Sequence, residues 1–304
     1  MKESKHIVAE EHWATKEGGI RLFVWRKRAE GAGGRGTILF VHGSSMASQP
    51  CFDLQVPGPV QHSLMDWYAD RGFDTWCFDC EGYGRSDKFR DINYDIANGA
   101  DDLEAVTALI LRHTAGRPIL AYGGSSGALR AALFAQRRPE RIARLALDAF
   151  VWTGAGSPTL EQRRKRLPEY LASNRRPIDF DFVRSIFTRD HPGVADDAVV
   201  EAFAAAVCAL DTSIPNGTYV DMCTKLPVVD PERVNVPVLI MRGQWDGIAS
   251  FEDVAAFFAR LPNADKQLIV LPGVAHSSFN GKNHEIAKHV LLSFFTQPAP
   301  VYTG

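Results

Sequence analysis

A short apolar run, Ile119-Leu120-Ala121-Tyr122, passes through Gly123-Gly124-Ser125-Ser126-Gly127 into an Ala- and Leu-rich stretch that continues to Gln136. The run has the length and composition of a buried strand, and the small residues after it let a helix lie close on a sheet. Between them sits Gly-x-Ser-x-Gly, a turn too tight for side chains on its flanks. Such a turn forces the central serine into a strained backbone conformation and lifts its hydroxyl above the end of the sheet. Ser125 is therefore the candidate nucleophile. Three fixed positions in five also occur by chance in loops, so the weight of the pattern rests on a strand before it, a helix after it, and a base, an acid and an oxyanion site elsewhere in the chain.

The remaining segments repeat the same rhythm. Two β-like runs between Ile7 and Arg28 flank a turn at Glu17-Gly18-Gly19 and predict an opening antiparallel hairpin. The glycine-rich loop Gly31 to Gly36 leads into a buried strand, Thr37 to Val41, which ends in His42-Gly43-Ser44-Ser45. Further strands are expected at Phe73–Phe78, Leu145–Phe150, Val236–Met241 and Gln267–Leu271, with helices at Ser63–Arg71, Asp101–His113, Phe251–Leu261 and His284–Thr296. Alternation of this kind implies a mostly parallel sheet with helices on both faces. It is interrupted over 151–231, where helical segments (Leu160–Ser173, Phe180–Arg189, Ala195–Leu210, Thr218–Lys225) follow one another without a strand. The expectation is a core domain made of 1–150 and 232–304, with 151–231 inserted as an all-helical cap over the sheet.

A serine hydroxyl becomes a useful nucleophile only when a base takes its proton, and the base needs a third group to hold its tautomer. In open parallel sheets such groups gather at the carboxyl ends of strands. Asp246 follows one strand in Arg242-Gly-Gln-Trp-Asp246, and His276 follows the next in Pro272-Gly-Val-Ala-His276. His276 is the candidate base. Of the other histidines, His42 belongs to the loop after a strand, His113 ends a helix, and His284 and His289 lie on the last helix. Asp246 is the candidate acid, with Asp148, at the end of the strand before the insertion, as its competitor. Asp79 reads as a carboxylate that braces a loop.

Taken together, His42-Gly43, Asp79-x-x-Gly82-x-Gly84-x-Ser86, the Ser125 turn, Gly243-x-x-Asp246 and Gly273-x-x-His276 resemble the α/β-hydrolase fold family, in its serine esterase and lipase-like branch. The resemblance covers nearly the whole chain apart from the insertion. It implies that the backbone amides of Ser44 and Ser126 form an oxyanion hole, with Ser45 as the nearby alternative to Ser44, and it strengthens Asp246 as the acid. A serine at position 125 also excludes relatives that use an aspartate nucleophile. The implied activity is cleavage of carboxylic esters through an acyl-enzyme, with no metal or organic cofactor. Thioesters, lactones and carbon–carbon bonds are cleaved by the same machinery, and a binding protein that keeps the fold without turnover is the reading from another class.

Composition narrows the partners. At 304 residues and a formal net charge of −2, nothing recommends nucleic acid. No run of about twenty apolar residues exists to span a bilayer, and the amino-terminal stretch Met1 to Lys16 is polar, so a cytoplasmic protein acting on a small-molecule ester is expected, with room for a homodimer. The five cysteines are scattered, and Cys77-x-x-Cys80 lies at the end of an apolar strand rather than at a helix start, which predicts buried, reduced thiols. Within the insertion, Arg163-Arg164-Lys165-Arg166 and Arg175-Arg176 read first as a solvated face. One or two arginines turned inward would instead grip a substrate carboxylate and favour half-esters of dicarboxylic acids. Trp152, Phe182, Phe187, Phe203, Tyr219, Met222 and Trp245 are candidates for lining a pocket, with Trp152 and Trp245 expected nearest the substrate.

Overall fold

The computed structural model describes residues 6–31 and 34–302. The first residues of the polar amino-terminal stretch, and Ala32 and Gly33 of the glycine-rich loop, lie outside the described residues. In chain order the elements are β1 (Ile7–Thr15), β2 (Arg21–Ala29), β3 (Thr37–Val41), α1 (Ser48–Phe52), α2 (Leu64–Ala69), β4 (Asp74–Phe78), α3 (Ile96–His113), β5 (Ile119–Gly124), α4 (Ser126–Arg137) and β6 (Ile142–Asp148). After β6 come α5 (Pro158–Lys165), α6 (Leu167–Leu171), β7 (Arg175–Pro177), α7 (Phe180–Thr188), α8 (Asp197–Leu210), β8 (Ser213–Pro215) and α9 (Gly217–Thr224). The chain closes with β9 (Val238–Gly243), α10 (Phe251–Arg260), β10 (Lys266–Leu271) and α11 (His284–Thr296).

Eight strands form one sheet in the order β1-β2-β4-β3-β5-β6-β9-β10. The β1–β2 hairpin and the β2–β4 pair are antiparallel, and every pairing from β4 to β10 is parallel. Alternation of side chains decides which core each residue joins. Leu39, Val41, Trp76, Phe78, Ala121, Leu145, Leu147 and Ile240 meet α3, α4 and α10 on one face. Ile38, Phe40, Cys77, Tyr122, Ala146, Leu239 and Met241 meet α2 and α11 on the other. Strands covered on both faces must be apolar throughout, which is why β3 and β4 are buried along their whole length. β1, at the sheet's edge, alternates instead.

The order matters for the site. From β3 the chain moves one way to β4, then crosses back so that β5 pairs with β3 on its other side. That reversal opens a crevice between the carboxyl ends of β3 and β5, where the His42 loop and the Ser125 turn emerge.

The segment between β6 and β9 differs from the all-helical expectation. β7 and β8 pair as a short antiparallel ribbon, Arg175 opposite Pro215 and Pro177 opposite Ser213. Three-residue strands that each contain a proline are too short to show alternation, so the sequence pattern is silent there. The continuous helix expected over Leu160–Ser173 is broken at Arg166 into α5 and α6, because Pro168 has no N–H to donate and its ring clashes with the carbonyl four residues back. Buried hydrogen bonds tie this segment to the sheet domain. Arg130 Nη2 donates to Thr218 Oγ1 at 3.0 Å, the Ile96 amide to Asp221 at 2.9 Å and the Gly84 amide to Asp211 at 2.8 Å. All five cysteines are free, with Cys77 and Cys80 buried. Among the described residues no helix is long and apolar enough to cross a membrane.

Candidate active site

β5 ends and α4 begins with Ser125 between them at φ 55°, ψ −124°. A positive φ is costly for a residue with a Cβ, and surrounding contacts hold it there: the Ser125 amide donates to the Asp148 carbonyl at 2.8 Å. The flanking glycines are required by close approach. A Cβ on Gly127 would lie 2.2 Å from the Val41 carbonyl oxygen, and one on Gly123 would lie 2.4 Å from that of Gly127. The turn therefore wedges α4 against β3 and projects the serine.

Asp246 and His276, from the loops after β9 and β10, meet Ser125 there. His276 Nε2 lies 3.0 Å from Ser125 Oγ, and His276 Nδ1 lies 3.0 Å from Asp246 Oδ1. A carboxylate can only accept, so Nδ1 carries the imidazole proton and Nε2 is left to accept from the serine hydroxyl. Asp246 is buried, which opposes its charge, yet His276 and the amides of Ile248 and Ala249 outweigh burial and hold its carboxyl below the usual range. The competing acid, Asp148, does not take this role. Its Oδ2 accepts from Tyr122 Oη at 2.7 Å and its Oδ1 from Ser278 Oγ at 2.9 Å.

Asp148 nonetheless lines the cavity beside Ser125, and burial pushes its pKa up to about 6 against the hydrogen bonds from Tyr122 and Ser278. A folded-state pKa above the unfolded value means that the folded form binds the proton more tightly. The stability this gives is complete below about pH 4 and is lost as pH rises through 6. Asp148→Asn removes the buried charge and keeps both partners, one hydroxyl still donating to the amide oxygen and the other turning to accept from the amide NH2, so its stabilising effect should be larger at pH 8 than at pH 4.5 by about 2 kcal/mol. Urea unfolding at the two pH values measures it, and an equal effect at both would show that Asp148 is not the group responsible.

The loop after β3 supplies the other wall. His42 is fully buried, its Nδ1 donating to the Gly43 carbonyl at 2.6 Å and its Nε2 accepting from the Cys80 amide at 2.9 Å. Burial and the nearby Arg130 bring its pKa down to about 3, so it stays neutral and ties two loops together. Asp79 braces the same region, accepting from the Ser48 amide at 2.8 Å and the Arg85 amide at 2.9 Å. The amides of Ser44 and Ser126 have no acceptor among the described residues. For Ser126 this follows from its place as the first residue of α4, where no helical partner exists.

The cavity in front of Ser125 and His276 has apolar walls from Met46, Phe52, Ile186, Phe203 and Phe279, and two cations, Arg163 and Arg189. Ser45, the alternative donor to Ser44, lines it. Trp152 and Trp245 do not. Trp152 donates through Nε1 to the Val229 carbonyl at 3.1 Å and packs on Phe257, while Trp245 is half exposed and stacks on His191. Proximity along the chain to Asp246 or to a strand end says nothing about which way a loop side chain turns. Of the seven aromatic and sulfur side chains considered as lining, Phe203 alone takes that place.

The basic run splits. Arg163 is buried and lines the cavity, whereas Arg164, Lys165 and Arg166 are exposed. Arg175 and Arg176 are committed to backbone carbonyls, Arg175 to Gly82 at 3.1 Å and Arg176 to Ser44 at 3.0 Å. Arg189 and Asp190 escaped the sequence reading, since nothing marks them but a place at a helix end. Asp190, Asp246 and His276 offer ligand atoms within 4.8 Å of one another, the one such trio among the described residues, but His276 Nδ1 and Asp246 are already bonded to each other.

A twisted, mostly parallel sheet with a strained serine turn at its switch point, followed in chain order by an acid and a histidine, defines an α/β hydrolase. Residues 34–283 match the family model described as serine aminopeptidase, S33. The chain belongs to that family of α/β hydrolases. No curated protein matches the sequence. Among solved structures it is similar to an esterase from Exiguobacterium antarcticum (17% identity, 95% of this chain and 100% of the other, TM-score 0.69). It is also similar to E-2-(acetamidomethylene)succinate hydrolase (21% identity, 95% and 99%, TM-score 0.67) and to epoxide hydrolase VrEH1 from Vigna radiata (18% identity, 95% and 99%, TM-score 0.69). At these identities the likeness is one of fold.

Proposed function

We propose that the protein is a serine hydrolase that cleaves carboxylic esters, including monoesters that keep a free carboxylate, through an acyl-enzyme. The observation that carries this reading is the chain of 3.0 Å contacts from Ser125 Oγ through His276 to Asp246, at a serine held at φ 55°. Ser125 Oγ attacks the ester carbonyl carbon while His276 Nε2 takes the hydroxyl proton. The carbonyl oxygen becomes an anion facing the free amides of Ser44 and Ser126, donors whose value lies in the transition state and amounts to roughly 3–4 kcal/mol each. Collapse breaks the bond to the alcohol oxygen, which leaves with the proton from His276. Water then gives a proton to His276 and attacks the acyl carbon, and the acid departs as the proton returns to Ser125. Asp246 holds the imidazole tautomer and stabilises the imidazolium throughout.

The test separates a catalyst from a receptor that merely keeps the fold. A fluorophosphonate probe should label the wild-type chain on Ser125 and leave Ser125→Ala unlabelled, and a panel of p-nitrophenyl esters of graded acyl length should be turned over. Absence of labelling together with absence of turnover across the panel would refute the reading.

A further inference from the structure

Several buried or half-buried cations among the described residues are matched by carboxylates. Lys16 meets Glu81 and Asp102, Lys27 meets Asp53 and Asp66, Arg26 meets Asp74 and Glu10, Arg144 meets Asp265, and Lys288 meets Glu285. Arg130, fully buried without a carboxylate, instead spends its donors on the His42 carbonyl at 2.9 Å and Thr218 Oγ1 at 3.0 Å. Arg163 has neither kind of partner. It is 8% exposed, no carboxylate among the described residues lies within ion-pair distance, and its one acceptor is the weak sulfur of Met222 at 3.9 Å. A guanidinium carries five N–H donors, and a charge drawn out of bulk water favours a partner of opposite sign.

The guanidinium is also held in place. It lies 4.0 Å from the Tyr219 ring centroid, and the Arg176 guanidinium lies 3.6 Å from the same centroid. Arg176 is anchored by the carbonyls of Pro215, at 2.7 Å, and Ser44. The Tyr219 hydroxyl is 3.2 Å from Ser45 Oγ. Burial would raise the Tyr219 pKa, but Arg163, Arg176 and Arg189 outweigh it and bring it to about 7, a measure of how positive this end of the cavity is. Arg189 lines the cavity too, and its own carboxylate neighbour, Asp190, stands 3.6 Å from Nε.

We infer that Arg163, with Arg189 beside it, forms a carboxylate subsite at the cap end of the cavity, and that the substrates are esters with an apolar body and one free carboxylate. The inference rests on the serine-hydrolase reading, since it places the carboxylate in the cavity that Ser125 and His276 share. The apolar walls take the body, the ester carbonyl sits at Ser125, and the anion supplies the bidentate partner that the protein withholds from Arg163. Half-esters of dicarboxylic acids have this form, and so do esters whose alcohol carries a carboxylate.

Two matched pairs test it: mono-p-nitrophenyl glutarate against p-nitrophenyl pentanoate, and 3-butyryloxybenzoate against phenyl butyrate. The wild-type enzyme should prefer the charged member of at least one pair in kcat/KM, by about 100-fold. Arg163→Met should lower that preference by about 100-fold, chiefly through KM, Arg163→Lys should restore part of it, and Arg189→Met should lower it less. Arg164→Met, on the exposed side of the same run, should leave the preference as it is. If Arg163→Met does not fold, the wild-type ratio and the Arg163→Lys and Arg189→Met variants still decide. Turnover of the neutral esters with no preference for either charged member would overturn the subsite and leave the hydrolase standing. No turnover of any ester, with Ser125 unlabelled, would overturn both.

Discussion

Ser125→Ala is expected to lower kcat/KM for any ester substrate by about four to six orders of magnitude. The magnitude follows from what is lost: the covalent intermediate itself, leaving only the two free amides and the cavity to accelerate attack by water. His276→Ala should cost about as much, and the double variant little more than either single one, because nucleophile and base act as one unit whose losses do not add. Stability should move in another way. Alanine keeps a Cβ at φ 55° and so keeps the strain of the turn, whereas Ser125→Gly, equally inactive, should be more stable by about 1–2 kcal/mol because glycine tolerates that conformation. Steady-state kinetics and urea unfolding on the same preparations provide both readouts. Retention of a tenth of the activity in Ser125→Ala would show that the chemistry lies elsewhere.

The other large effect is expected at a residue that touches no substrate. Gly127→Ala would place a methyl group 2.2 Å from the Val41 carbonyl oxygen and 2.6 Å from that of His42. Both are backbone atoms of the central strand and of the loop after it, so neither can swing aside as a flexible side chain would. Relief requires α4 to move off β3, which opens the closely packed core that its alanines make with Leu39 and Val41 and shifts the Ser126 amide and the serine with it. We expect a loss of about 4 kcal/mol or more, near the upper end for single substitutions. It would be read as a lower urea midpoint or as failure to accumulate soluble protein, and any folded fraction should be inactive. An unchanged midpoint with unchanged activity would mean that helix and strand are not in the contact described.

The parts of the fold legible in the sequence share a physical origin. β3 and β5, and the greater part of β6 and β9 (Leu145–Leu147 and Val238–Met241), are buried on both faces and so are written as apolar runs, each ending where glycine or a polar residue lets the chain turn. Local order of this kind needs no knowledge of distant residues. The positions of Ser125 and Asp246 were legible for the same reason, each standing past such a run, while His276 stands past β10, the edge strand beside β9, on the side of the sheet where its neighbours also end. The β7–β8 ribbon was not legible, because three residues on either side of a pairing carry no period.

The choice between Asp246 and Asp148 shows the boundary between the two kinds of information. Both follow strands, and both could be imagined beside one histidine. Their hydrogen bonds separate them, to His276 and two nearby backbone amides for one, to Tyr122 and Ser278 for the other, and the side-chain partners come from other segments of the chain. Trp152 and Trp245 mark the same boundary from the other direction, being near the site in sequence and turned away from it in space.

What the amino-acid order determined by itself was the alternation of strand and helix, the strained turn at Ser125 and the strand ends past which Asp246 and His276 stand, all products of local sterics and of side-chain period. What the tertiary structure alone decided was which of four consecutive basic residues faces the cavity. Successive residues on a helix point about 100° apart, so a run of charges offers every direction at once. Only the docking of α5 against Tyr219 and Met222, residues more than fifty positions away, turned Arg163 inward and left Arg164, Lys165 and Arg166 in water.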